Sequence, residues 1–218
     1  MKKKIGIDLD DVLLDFSGAL IPWHNANYGT KYRYEDMTSY NLEDILQCPR
    51  YEIDRRMTDF HFSEEHYNAL PIPGAALALE RLSQDHSLIV ITSKADEMRP
   101  SMEAWLAKHF PNLIESVHFT NHHLGDKSKK RKKSDVCREE GVQIFIDDAC
   151  IHVTDVADIC EKVFLLDRPW NQEALHSQFF AKGKRRELLE GEFDRLNRYF
   201  NDGQLVNARQ VIEYLNNL

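Results

Sequence analysis

Five short apolar runs, residues 5–9, 88–92, 117–120, 142–146 and 163–166, are rich in β-branched and aromatic residues, and helical patterns separate the last four. This alternation constrains the fold more than any other feature. A helical crossover returns the chain to the same end of a sheet before the next strand begins, so strands joined in this way lie parallel. The expected fold class is therefore α/β, built on a parallel sheet. Open sheets of that kind place their ligands outside the carboxyl ends of the strands. The residues that follow each run are accordingly the first place to look for chemistry.

Local signals give the organisation between the runs. Pro73-Gly74 opens a helix over residues 75–82, Pro100 sits in the first turn of another, and Ser134 can cap a helix that Gly141 closes. Between the first and second runs there is no strand pattern, but there are several helix starts. Asn41 with Asp44 three residues on is a capping-box variant, Cys48-Pro49 puts proline at a first turn, and Ser63 precedes Glu64-Glu65. That stretch reads as a small helical insertion. From Asn171 onward the pattern is helical again, with Leu188, Leu189, Phe193, Leu196 and Phe200 spaced as a core or docking face.

A chain of 218 residues is long enough for one domain with an insertion. The formal charge of −8 argues against general nucleic-acid binding while allowing a local basic site. Four cysteines without CxxC spacing fit free thiols in a reducing cytosol. The start Met1-Lys2-Lys3-Lys4 resembles a signal peptide, but Asp8, Asp10, Asp11 and Asp15 break the apolar stretch behind it. No run is long enough to cross a bilayer. The expectation is a soluble cytoplasmic protein with no membrane partner, its oligomeric state left open.

The first run leads into Ile7-Asp8-Leu9-Asp10, two carboxylates spaced i, i+2. On an extended chain they share a side, and like charges so placed call for a cation such as Mg²⁺ between them. One is then a candidate nucleophile and the other a candidate proton donor. The second run ends in Thr92-Ser93-Lys94, where a hydroxyl at a strand's end can donate to a phosphate oxygen. The basic stretch Lys127-Ser128-Lys129-Lys130-Arg131-Lys132-Lys133 precedes a helix. A lysine at that helix start could reach across the sheet edge; Lys133 is the best placed and Lys130 the second choice. The fourth run ends in Asp147-Asp148, which completes a set of hard oxygen ligands.

These four pieces, in this order, resemble the motifs of the haloacid dehalogenase (HAD) superfamily of phosphohydrolases: Asp8-Leu9-Asp10, Thr92, Lys133 and Asp147-Asp148. The resemblance covers about residues 5–167. Within the superfamily the chain is similar to the 5′(3′)-deoxyribonucleotidase group, on Asp15-Phe16, on the Leu70-Pro71-Ile72-Pro73-Gly74-Ala75 approach and on the Thr92-Ser93 pair. Two features depart from the pattern. Asp11 stands where many members carry glycine, and the basic loop is longer than in the animal enzymes.

The resemblance implies a Rossmann-like core, helices on both faces of the sheet, and a small α-helical C1 cap. The core would comprise residues 1–15 and 74–218, with the helical tail, and the cap residues 16–73. It implies a Mg²⁺-dependent phosphatase acting on nucleoside monophosphates. Asp8 would attack phosphorus to form an aspartyl-phosphate. Asp10 would protonate the leaving oxygen and then activate water. Thr92, Ser93 and Lys133 would bind the phosphoryl group. Asp8, Asp10 through its backbone carbonyl, and Asp148 would hold the metal, with Asp147 orienting the ligands around it. Phe16 would stack on the base, and Trp23, Tyr28 and Tyr40 could wall off its other side, unless they only pack the cap onto the core. A halide-removing dehalogenase needs neither the metal nor an acid at Asp10. Two other readings stay open at this point: a phosphatase for another small phosphomonoester or a nucleic-acid end, and a catalytically silent binding protein on the same fold. Base, sugar and 5′ versus 3′ preference are not legible in the chain.

Overall fold

A computed structural model describes residues 2–122 and 127–172. The helical tail expected from Asn171 onward lies outside the described residues, apart from its first two. Among the described residues one sheet holds β1 (Lys3–Ile7), β2 (His86–Thr92), β3 (Ser116–Phe119), β4 (Ile144–Asp147) and β5 (Lys162–Leu165). Its order is β3-β2-β1-β4-β5 and every pairing is parallel. The five expected strands are all present, with ends moved by one or two residues. One shift matters: β1 stops at Ile7, so Asp8 and Asp10 follow the strand instead of alternating along it.

After β1 come the four helices of the insertion: α1 (Phe16–Tyr28), α2 (Leu42–Leu46), α3 (Arg50–His61) and α4 (Glu64–Tyr67). Next, α5 (Ala75–Asp85) leads into β2, and α6 (Arg99–His109), α7 (Lys133–Glu140) and α8 (Cys150–Val156) make the crossovers. Strand alternation sorts the helices onto two faces. Leu88 and Val90 of β2, with Ile144 and Ile146 of β4, pack among Leu79 of α5 and Met102 and Leu106 of α6. Ile89, Ile91 and Phe145, on the opposite face, pack against Val136 and Cys137 of α7 and Val156 of α8. Gly6 lets Phe145 approach β1, since a Cβ there would meet the Phe145 ring at 3.0 Å.

The insertion has an apolar cluster of its own, Leu20, Trp23, Ile53, Met57 and Phe60, and Phe16 packs against both this cluster and the sheet's. Ser63 caps α4 as expected, its hydroxyl accepting from the His66 N–H at 3.2 Å. Two capping expectations are corrected. Lys132, not Ser134, precedes α7, because Asp135 supplies the carboxylate that takes the Lys132 N–H at 3.4 Å, while the Ser134 N–H donates to Asp155. Asp44 does not close a box with Asn41, because its carboxylate accepts the Ser39 hydroxyl at 2.7 Å and Ser39 takes the Asn41 N–H. Gly141 ends α7 at φ 66°, in the left-handed region that favours glycine. None of the helices among the described residues is long and apolar enough to cross a membrane.

Candidate active site

The sheet's carboxyl edge collects the charged residues. Asp8 continues the ladder with its own N–H, donating to the Ile146 carbonyl at 2.9 Å, which holds its carboxylate beside β4. Lys133, the first residue of α7, reaches that point from the helix start. Its Nζ donates to Asp8 Oδ1 at 2.5 Å and to Asp147 Oδ2 at 2.7 Å. It is 2 % exposed, whereas Lys129, Lys130 and Lys132 lie in solvent. A lysine is buried only when it is paired. Burial opposes its charge, but Asp147 and Asp8 outweigh that and hold its pKa above the usual value.

Asp147 has both oxygens occupied, since Oδ1 also accepts the Ala149 N–H at 2.8 Å. Asp148 accepts Trp170 Nε1 on Oδ2 at 2.7 Å, which leaves its other oxygen without a protein donor among the described residues. Carboxylate oxygens of Asp8, Asp147 and Asp148 come within 4.8 Å of one another. Burial, with the charge of Asp147 added and that of Lys133 opposing, pushes the Asp8 carboxyl up to about 6. Burial and the neighbouring Asp147, Asp8 and Asp11 push Asp148 well above the carboxylate range. Three buried carboxylates around one ammonium form a hard-oxygen set with negative charge in excess, and such a set fits a small divalent cation.

The chain turns sharply after Asp10. Asp11 sits at φ 54°, which explains why glycine suits this position; aspartate is among the residues that tolerate it. Two bonds to the Asp11 carboxylate steady the turn, from the Ser17 N–H at 2.9 Å and the Ser17 hydroxyl at 2.7 Å. Arg168 completes it by donating twice to the Asp11 carbonyl, at 3.0 and 2.6 Å. Burial raises the Asp11 carboxyl to about 7. The turn aims the Asp10 carboxylate at Lys94, whose Nζ lies 2.9 Å from Oδ1.

A cavity of about 330 Å³ opens above these groups. Asp8, Asp10, Ser93, Lys94 and Asp148 line its charged end; Phe16, Met37, Tyr40, Ile53 and Met57 line the apolar side contributed by the insertion. Ser93 faces the cavity, its hydroxyl 3.1 Å from His152 Nε2. Thr92 does not line it: the residue has no exposed surface, and its hydroxyl accepts the Lys94 N–H at 3.2 Å. The Phe16 ring borders the cavity and stands edge-on to Phe60, centroids 5.2 Å apart. Trp23 and Tyr28 pack on each other within the insertion, away from the cavity, while Tyr40 borders it.

Sequence reasoning did not single out Lys94, His66, Arg168 or Trp170. Lys94 carried a signal, as the third polar residue in the Thr92-Ser93-Lys94 strand end. Arg168 and Trp170 carried the same one, lying in the turn just beyond β5. His66 carried none.

A family model described as 5′ nucleotidase, deoxy (pyrimidine), cytosolic type C, matches residues 2–178. A curated protein of Halalkalibacterium halodurans, named "Putative nucleotidase BH1399", is 25 % identical over 172 residues, covering 78 % of this chain and 83 % of that one. Among solved structures, the haloacid dehalogenase-like hydrolase SP0104 of Streptococcus pneumoniae is similar with a TM-score of 0.55 at 13 % identity, over 81 % of this chain and 99 % of that one. YfnB of Bacillus subtilis, a HAD-type protein solved bound to magnesium, is similar with a TM-score of 0.51 at 11 % identity, over 76 % and 86 % of the two chains. At these identities the two structures speak for the fold.

Proposed function

This chain belongs to the family of cytosolic type C 5′-deoxynucleotidases and is a phosphoric monoester hydrolase of the HAD superfamily, and from that premise we propose a Mg²⁺-dependent phosphatase of nucleoside monophosphates that works through an aspartyl-phosphate. The observation that carries the reading is the meeting of Asp8, Lys133, Asp147 and Asp148, with Asp8 and Asp148 lining one end of a cavity whose far side mixes Phe16, Ile53 and Met57 with the polar Asn41, Arg50 and Asp54.

Asp8 is the nucleophile: its oxygen forms a bond to phosphorus as the bond from phosphorus to the ester oxygen breaks. Asp10 delivers a proton to that leaving oxygen. It then takes one from the water that displaces Asp8 and releases inorganic phosphate. Lys133 bridges nucleophile and sheet edge, so its charge offsets that of the phosphoryl oxygens without any rearrangement. Ser93 is the hydroxyl placed to donate to the phosphoryl group. Thr92 would support it from beneath, through the backbone of the turn.

Asp8, the Asp10 backbone carbonyl and Asp148 would hold Mg²⁺, which when bound supplies a Lewis acid against the phosphoryl charge. Asp148 is the better ligand of its pair because one oxygen is uncommitted, whereas Asp147 spends both on Lys133 and Ala149. The magnesium in YfnB supports the choice of ion. Residues 16–73 would form the cap that covers the base, with Phe16 stacking on it.

The test is Asp8→Asn, nearly isosteric but unable to act as the anionic nucleophile. Phosphate release from 5′-nucleoside monophosphates should vanish in this variant, and in the wild type after metal removal with EDTA, returning when Mg²⁺ is added. Wild-type turnover by a verified, deamidation-free Asp8→Asn protein would overturn the assignment.

A further inference from the structure

Every carboxylate at the sheet edge except one is held by a neutral donor or by Lys133. Asp8 has Lys133, Asp11 has Ser17, Asp147 has Lys133 and Ala149, and Asp148 has Trp170. Asp10 Oδ1 is buried without a well-formed hydrogen bond among the described residues, and the Lys94 ammonium, 2.9 Å away, is the ion-pair partner it faces. Lys94 is itself tightly placed. It is 4 % exposed, its Nζ lies 2.9 Å from His66 Nε2, and the Phe16 ring centroid is 5.0 Å away.

An ammonium has only protons to give, so Nε2 of His66 accepts and the imidazole proton sits on Nδ1. Burial and the charge of Lys94 keep that ring neutral, its pKa far below the ordinary histidine value. Among the described residues Nδ1 is buried without a well-formed hydrogen bond of its own. A hydrocarbon side chain would fill the place without leaving a polar atom short of a partner. Fold stability alone therefore does not account for a histidine here; an acceptor aimed at Lys94 does.

We infer that Lys94 is the positioning residue that holds the Asp10 carboxylate for proton transfer to the leaving oxygen, and that His66 of α4 sets the position of Lys94. The inference rests on Asp10 acting as the proton donor of the proposed reaction. It makes the insertion part of the acid machinery, since α4 lies within residues 16–73 while Lys94 and Asp10 belong to the sheet edge.

A misplaced acid harms only substrates whose leaving group needs the proton. The test compares kcat/KM, with Mg²⁺, on phenyl phosphate and on p-nitrophenyl phosphate, whose leaving group departs readily as the anion. General acid catalysis contributes about 10²–10⁴-fold, so Lys94→Met should lose on the order of a hundredfold on phenyl phosphate and under about threefold on p-nitrophenyl phosphate. His66→Leu should show the same selective loss in smaller degree, and His66→Gln, which keeps an acceptor, should restore the wild-type ratio between the substrates. Lys94→Gln gives the same reading should Lys94→Met not fold, with thermal unfolding followed for each variant. Equal losses on both substrates, or a wild-type ratio in Lys94→Met or Lys94→Gln, would overturn the inference and leave the hydrolase reading standing. A wild-type protein inert on both esters would overturn the reaction itself.

Discussion

At the sheet edge, each polar group of the site lies within three residues of a strand's end or at a helix's first residue: Asp8 and Asp10 after β1, Ser93 and Lys94 after β2, Lys133 at the start of α7, Asp147 and Asp148 at the close of β4. In the helical insertion, the side chains facing the same cavity come from scattered places. Phe16 opens α1, Met37 and Tyr40 lie on the link to α2, and Ile53 and Met57 are on α3. The backbone hydrogen bonds of the sheet dictate where the first set must stand. Apolar packing among short helices decides the second. Most of the charge at the edge is thus placed by the sheet, and only Lys94 is also held from the insertion, through His66 and the Phe16 ring.

The largest expected effect separates two lysines of one basic run. Lys133→Ala should lower turnover by orders of magnitude, because it strips the ammonium from Asp8 and Asp147 together. Lys129→Ala and Lys132→Ala should stay near wild type, as exposed charges on a loop normally do. Steady-state kinetics on one phosphomonoester decides it. A crippling Lys130→Ala with a harmless Lys133→Ala would show that the edge is not placed as described.

A smaller contrast lies within the acidic doublet. Asp148→Ala should weaken Mg²⁺ activation more than Asp147→Ala, read as the Mg²⁺ concentration giving half-maximal rate. The reverse order would mean that Lys133 gives up Asp147 to the metal, and would exchange the roles of the two residues while keeping the site.

The insertion's own test is Phe16→Ala. Stacking of a base on an aromatic ring is worth about 1–3 kcal/mol, so kcat/KM on a nucleoside monophosphate should fall about ten- to a hundredfold. The same change should barely alter p-nitrophenyl phosphate. Equal losses on both would mean that Phe16 serves only the packing of Phe60 and His66, whose rings it touches, and the two regions would then be less separable than they look.

Much of the edge was legible because a strand end is a local event. Residues such as Asp8, Thr92 and Asp147 announce themselves by following an apolar run, and Lys133 by opening a helix. Asp11 was legible only as an oddity until its positive φ gave the reason glycine belongs there. The insertion was legible as helices and little more. Nothing local separates Tyr40, which borders the cavity, from Trp23 and Tyr28, which pack away from it.

By itself the amino-acid order determined the parallel sheet, its helical crossovers, and the acidic and basic residues at its carboxyl edge, since each follows from periodicity and capping within a few residues. The tertiary structure decided which partners those residues take. Lys94 meets His66 from 28 positions away, and Arg168 holds the Asp11 carbonyl from 157 positions away. It also turned the Thr92 hydroxyl into the backbone and left Ser93 facing the cavity. The physical reason is burial: a charge removed from water must find its counterpart in three dimensions, and that choice is made by how sheet, crossovers and insertion pack together.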